Sequence, residues 1–277
     1  MVYGVLRFIN FAHGDVFMLG AFAGYYLAPV VSRVLPAQSW AGGFCVLVLA
    51  MAICAGLGML IELLAYRPLR NRPKLTVLIT AIGVSLFIEY TCQHEAVFGA
   101  APRKFPDLMP VKTLNMGGLI LSTNQLIVLV TTLLLLAALR FIVQKTKVGT
   151  AMRAVSFNEQ AAALMGVNIN SIISFTFGLG SALAAAGGIL YAMNYSSIDP
   201  MMGVQTGLKA FVAAVFGGIG NLSGAALGGL ILGLLETFAG GIPGLSNYRD
   251  GIAFAILILI LLFKPAGLLG KATVEKV

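Results

Sequence analysis

The sequence predicts an all-α, polytopic membrane helix bundle of about eight spanning or partly spanning helices, and three observations predict it. Hydrophobic residues make up 59% of the chain and charged residues 10%, with a mean hydropathy of +0.95. Soluble domains carry roughly 25% charged residues, so too few remain here to cover a water-facing surface. Apolar runs of membrane-crossing length recur from end to end. The Lys and Arg residues gather in the gaps between them, as the positive-inside rule expects. A net charge of +8 and a pI near 9.6 therefore point to membrane lipid as a partner and not to nucleic acid.

A spanning helix needs about 20 mostly apolar residues. Such runs occur at 16–35, 41–65, 75–94, 124–143, 170–193, 224–240 and 251–268, and a shorter apolar stretch covers 205–218. The N-terminus has no basic stretch followed by a short apolar core, so no cleavable signal peptide is expected. Between the second and third runs, YRPLRNRPK holds Arg67, Arg70, Arg72 and Lys74, which marks a cytoplasmic loop. Residues 95–123 carry mixed charge and three prolines, which suits an external loop. Residues 144–168, with Lys145, Lys147 and Arg153, belong inside again. Lys264, Lys271 and Lys276 place the C-terminus in the cytoplasm.

Parity then constrains 205–240. The run 170–193 starts inside, and 251–268 must end inside. The segment between them leaves and returns to one face, which one straight helix cannot do. Two unequal pieces broken at Gly217, Gly218, Gly220 and Asn221 can, because glycine lets the backbone turn and the freed polar groups face protein or water.

The N-terminus reads the same way: a short piece (VYGVLRFI, 2–9), a polar break (NFAHGD), then the run 16–35. Both halves continue through a loop and a returning helix to a basic residue before proline, Arg67-Pro68 and Lys264-Pro265. This is a weak parallel internal repeat with broken, Gly-rich segments, a device common in transporters. It implies one more spanning helix before Met1, as a counterpart of 170–193.

No enzymatic motif accompanies this pattern. The histidines are His13 and His94, and the three cysteines (Cys45, Cys54, Cys92) lie in apolar runs without ligand-like spacing, as small packing residues do. PAGLLGKAT at 265–273 fails the phosphate-loop pattern at its first glycine and its final Ser/Thr. The chain is expected to be no enzyme, with no ATP-binding motif, cofactor or metal of its own. Gly20/Gly24, Gly224/Gly228 and Gly229/Gly233 have the spacing that lets helix backbones approach closely in lipid.

Acids and bases within spans are costly, roughly 2.5–3.5 kcal/mol on insertion scales, and are functional candidates for that reason. Candidates for a translocation path are Asn10, His13, Asp15, Glu89, Lys209 and the break at Gly217, Gly218, Gly220 and Asn221. Asp15 could instead cap the helix beside it. Glu62, near the inner end of its helix, can snorkel. Glu89 and Lys209 are the least easily explained as end effects.

The segment VGTAMRAVSFNEQAAALMGVN (148–168) is long for a loop. It reads as two short helices, with Met152 and Val155 on one side of the first, and Ala161, Leu164 and Met165 on the second. Asn158 can cap the second and Gly166 can end it. An exposed amphipathic helix here suits a partner's groove.

QAAALMG (160–166) resembles the EAA---G coupling loop of ABC importer permeases, with Gln160 in place of the usual Glu and Glu159 beside it. Together with INFAHGD, ELLAYRPLR, LITAIGVSLF, GLKAFVAAVFGGIG and LLFKPAGLLG, in matching order along the chain, it resembles the high-affinity branched-chain amino acid permease family of LivH type. The resemblance implies a single transmembrane permease domain over 1–277 in the bacterial inner membrane. It would pair with a second homologous permease subunit, two cytoplasmic ATPase subunits and a periplasmic amino-acid-binding protein. Arg153, Glu159, Gln160, Ala161, Ala162 and Gly166 would couple it to the ATPases, and the substrate would be a hydrophobic, branched-chain amino acid. A permease for urea or short amides and an ion-coupled secondary transporter are the alternatives. The sequence does not read out side-chain selectivity or the partner permease's identity.

Overall fold

The computed structural model describes residues 10–270 except 37, 71, 117, 118, 219, 245 and 265; the short piece at 2–9 lies outside them. Among the described residues the chain is helical nearly throughout, and six helices are long and apolar enough to cross a membrane. They are α1 (Ala12–Val31), α2 (Trp40–Ile61, continued through turns to Leu69), α3 (Lys74–Gln93), α4 (Thr123–Lys145), α7 (Ile169–Tyr195) and α9 (Leu222–Gly241). Between them lie α5 (Lys147–Phe157), α6 (Glu159–Leu164) and the shorter α8 (Met202–Gly217), and α10 (Arg249–Phe263) follows. This is a multi-pass membrane protein.

Contacts divide the chain into two compact units, one up to Val204 and one from Gln205. In the larger unit α1, α2 and α7 pack as its centre. Lipid offers no hydrophobic drive for helices to associate, so contact depends on close approach and dispersion. Small residues provide it. A side chain on Gly20 would run into the backbone of Ala185, and one on Gly188 into the Phe17 carbonyl. Gly24, one turn from Gly20, lies against Ile189. Around this seam Met18, Phe22, Phe105, Ile189 and Ile198 form a buried core, with Phe22 stacked on Phe98 at 4.2 Å between ring centroids.

The boundaries differ from expectation in instructive ways. The first run was expected from residue 16, but α1 starts at Ala12, so His13 and Asp15 lie in its first turn and not in a break. Gly14 does not interrupt it, because its backbone lies tight against Gly203. The same helix stops at Val31 instead of 35, where the Ser32 hydroxyl donates back to the Pro29 carbonyl at 2.9 Å. Helix α10 stops at Phe263 instead of 268. Residues beyond it are drawn into hydrogen bonds with the end of α8: Leu268 N–H to Phe216 O at 2.9 Å and Leu269 N–H to Gly217 O at 3.0 Å.

Loop 95–123 contains strands that helical periodicity could not reveal. β1 (Arg103–Lys104) pairs antiparallel with β4 (Ser197–Ile198), and β2 (Thr113–Met116) with β3 (Leu119–Ser122). The β1–β4 pairing brings 95–123 and the loop after α7 to one end of the larger unit. Arg103 clamps that end. It donates to the Tyr26 hydroxyl at 2.9 Å and to the Phe98 carbonyl, and lies 5.8 Å from the Tyr25 ring centroid. At the opposite end, Arg70 on the basic loop donates to Asn170 in the first turn of α7 at 2.7 Å. The two loops expected outside therefore share one end, and the two expected inside share the other.

Candidate functional site

The segment 144–168 folds as an elbow. The Thr146 hydroxyl accepts from Gly149 N–H at 3.1 Å and donates to the Ile142 carbonyl at 2.6 Å, so α4 ends and α5 begins at one residue. Gly149 lies so tight on the Ile142 and Val143 carbonyls that no side chain fits there. Met152 and Val155 turn α5 inward, both buried. Asn158 caps α6 by accepting from Ala161 N–H at 3.0 Å, and Gly166 ends it with φ +82°.

Within the elbow, Glu159, Gln160, Ala161 and Gly166 are exposed and Ala162 is buried. Three large apolar side chains stand in the open: Phe157 at 86%, Leu164 at 88% and Met165 at 85% exposed. Arg153 bends back instead, donating to the Val143 carbonyl and to Thr150. It secures the elbow to the end of α4.

A second group surrounds the start of α1. Asp15 is buried and accepts from the Ser85 hydroxyl on α3 at 2.5 Å. Glu89, also buried, lies one turn further along α3 and acts electrostatically on Asp15. Asn10 precedes the helix and accepts from the Tyr66 hydroxyl at 2.7 Å. The structure thus brings Asn10, Asp15 and Glu89 to one region between α1, the end of α2, and α3. His13 sits on the same first turn, partly buried.

The smaller unit holds the other path candidates. Helix α8 ends at Gly217 and α9 begins at Leu222, so the chain reverses over 218–221. Gly218 has φ +108°, a conformation open to glycine at no steric cost, and Gly220 also has a positive φ. Asn221 caps α9 by accepting from Gly224 N–H at 3.1 Å and donates its amide to Leu269 O at 2.9 Å. Backbones touch at Gly217 and Gly224, and again where Gly228 meets the Ala213 carbonyl. Gly229 and Gly233 make no such approach: nothing lies within 4 Å of a side chain built on Gly233. Lys209 is not left alone in its span. It pairs with Glu236 at 3.2 Å and Asp250 at 2.7 Å, tying α8 to α9 and α10.

One polar centre escaped sequence reasoning. Glu62, read as a snorkelling end residue, has no exposed surface. It is ion-paired with Arg70 and, at 3.7 Å, with Arg67, and it accepts from the Ser174 hydroxyl on α7 at 2.5 Å. Arg67 also donates to Ser174 at 3.3 Å. Between Ile61 and Arg67 the helix widens into a π turn, with Arg67 N–H bonded to the Glu62 carbonyl, a feature common at functional positions. The signal was available: an acid five and eight residues before two arginines can meet both once the helix turns back. Its α7 partners could not be found that way.

Residues 1–261 match the family described as branched-chain amino acid transport system / permease component. The chain belongs to that family. The high-affinity branched-chain amino acid transport system permease protein BraD of Pseudomonas aeruginosa is 38% identical over 283 residues, covering all of this chain and 91% of the relative. The corresponding LivH protein of Escherichia coli strain K12 is 38% identical over 282 residues, covering all of this chain and 90% of the relative. The ribose import permease protein RbsC of Haemophilus influenzae is 34% identical over 126 residues, 43% of this chain and 39% of that one. No solved structure matches the chain.

The family match takes in both helix-end clusters, the elbow and the α8–α9 reversal. Among the described residues no group of three His, Cys, Asp or Glu side chains could hold a metal ion.

Proposed function

We propose that this chain is the membrane-spanning permease subunit of an ABC importer that moves branched-chain amino acids into the cytoplasm, powered by separate ATPase subunits. The elbow carries the reading. A capped, two-helix projection that buries Met152, Val155 and Ala162 yet exposes Phe157, Leu164 and Met165 has the form of a helix built to enter a groove. The whole-length likeness to BraD and LivH supports the substrate class.

In this reading residues 1–277 form one permease domain of the bacterial inner membrane. Residues 144–168 are its cytoplasmic coupling loop, 95–123 its external loop, and the C-terminus lies in the cytoplasm. Its partners are a second, homologous permease, two ATPases and a periplasmic amino-acid-binding protein. Glu159, Gln160, Ala161 and Gly166 face the ATPase, while Arg153 and Ala162 hold the elbow in shape. Asn10, His13, Asp15 and Glu89 border the path, and the 217–221 reversal supplies a turning point beside it. Lys209 acts as an anchor between helices.

The test is transport by the complete complex in proteoliposomes, with ATP hydrolysis measured alongside. Gly166→Val and Ala161→Glu are expected to insert normally and to break the link between hydrolysis and uptake. Wild-type uptake by both variants would remove the coupling assignment.

A further inference from the structure

Glu62 and the residues gathered on it form the most completely paired buried charge in the larger unit. Charge in a low-dielectric interior is tolerated only where partners satisfy it. Glu62 has them from two directions: Arg67 and Arg70 from the turn after α2, and Ser174 from α7. Arg70 reaches further, to Asn170 at 2.7 Å. Tyr66, in the same π turn, stacks on Phe177 of α7 with ring centroids 5.3 Å apart. The end of α2 and the start of α7 are therefore joined by two hydrogen bonds from α7 residues, a buried ion pair and a ring contact, all within three turns of α7.

The position of this joint matters. Helix α6 leads through residues 165–168 directly into α7, whose first turn carries Asn170. The Asn168 side chain accepts from Ser171 N–H at 3.2 Å, so α7 is fixed from its first residue. Any displacement of α6 passes first into this turn. The next rigid element it meets is the end of α2, through Asn170–Arg70 and Ser174–Glu62.

We propose that Glu62, Arg70, Asn170 and Ser174 form a rigid clasp that carries movement of the coupling elbow into α2. These are positioning residues for transport and touch no substrate. The inference rests on the reading of 148–168 as the ATPase-docking segment. A clasp of this kind moves as one body. Its loss leaves the ATPases docked and turning over, while the span they should move lags behind.

The experiment uses the complete transporter in proteoliposomes and reads amino acid transported per ATP hydrolysed, with thermal stability measured in parallel. Ser174→Ala removes the donor to Glu62, and Ser174→Thr retains a hydroxyl there. The Ala variant is expected to lower the transport-to-hydrolysis ratio roughly fivefold or more, the lower end of typical coupling between linked sites. The Thr variant is expected to restore it. A purely structural role would lower uptake and hydrolysis together and leave the ratio unchanged, which would overturn the proposal.

Should Ser174→Ala fail to assemble, Arg70→Cys with Asn170→Cys, joined by a short thiol cross-linker, gives the second readout. A clasp that stays closed predicts preserved uptake after cross-linking; blocked uptake would overturn it. Gly166→Val separates the two readings. If it uncouples and Ser174→Ala does not, the clasp is wrong. If Gly166→Val itself leaves the ratio unchanged, the docking assignment has failed.

Discussion

Ser85 on α3 donates its hydroxyl to Asp15 on α1 at 2.5 Å, and this is the hydrogen bond by which the first helix holds the third. Among the described residues no cation pairs with Asp15, in contrast to Glu62. Ser85→Ala leaves the buried carboxylate without this donor, a loss of about 1–3 kcal/mol, and the unfolding midpoint of the purified complex should fall. Asp15→Asn keeps an acceptor of the same shape, so the midpoint should hold. If the charge itself serves transport, uptake by Asp15→Asn should drop about tenfold, equivalent to ~1.4 kcal/mol in the barrier. Unchanged uptake would assign Asp15 to packing.

The α1–α7 seam gives a contrast between two glycines. Alanine at 188 would press its methyl group into the Phe17 carbonyl, which belongs to backbone and cannot turn aside. Gly188→Ala should cost about 1–3 kcal/mol. Gly83 on α3 has nothing within 4 Å, and Gly83→Ala should stay within about 0.5 kcal/mol of wild type. Denaturant titration in detergent micelles distinguishes the two, and equal sensitivity would refute the seam.

Lys209 gives a milder expectation. Lys209→Met leaves Glu236 and Asp250 without their shared cation, but all three groups retain some exposure. The loss should be near 1 kcal/mol or below. Because the ion pairs anchor helices and do not face the solute, the KM of uptake should be unchanged. A large change in KM would return Lys209 to the translocation path.

The cap on α6 is testable by hydrogen exchange. Asn158→Ala removes the acceptor for the Ala161 amide and should destabilise this six-residue helix by about 1 kcal/mol. Exchange at Ala161 should quicken while amides in α4 and α7 keep their protection. Slow exchange at Ala161 in the variant would show that partners other than the cap hold the helix.

What could be read beforehand follows from the range of each interaction. Helix existence and order came through because a spanning run is a local property of about 20 residues. The Asn158 and Gly166 caps came through because they act over three or four residues. The reversal at Gly217–Asn221 was legible from charge parity combined with glycine content. The Ser85–Asp15 bond joins residues 70 positions apart, and Glu62–Ser174 spans 112; no periodicity records such pairings. Helix ends moved where long-range partners competed for backbone groups, as residues 268 and 269 do at the end of α8. Arg153 looked like a docking charge in the sequence because its acceptor, the Val143 carbonyl, lies on the helix before it.

The π turn between Ile61 and Arg67 also has a meaning for how the gene can change. A hydrogen bond spanning five residues encloses one more residue than the α-helical pattern does. Removing one residue between 62 and 66 would let an unbroken α-helix form. Everything after it would then swing by about 100° around the axis, carrying both arginines off the carboxylate. Adding a residue would turn them the other way. Substitutions in this stretch can be absorbed one at a time, whereas a single-codon insertion or deletion would leave Glu62 buried without its cations. Natural variants of this permease should therefore keep the length of this segment constant even where its letters differ.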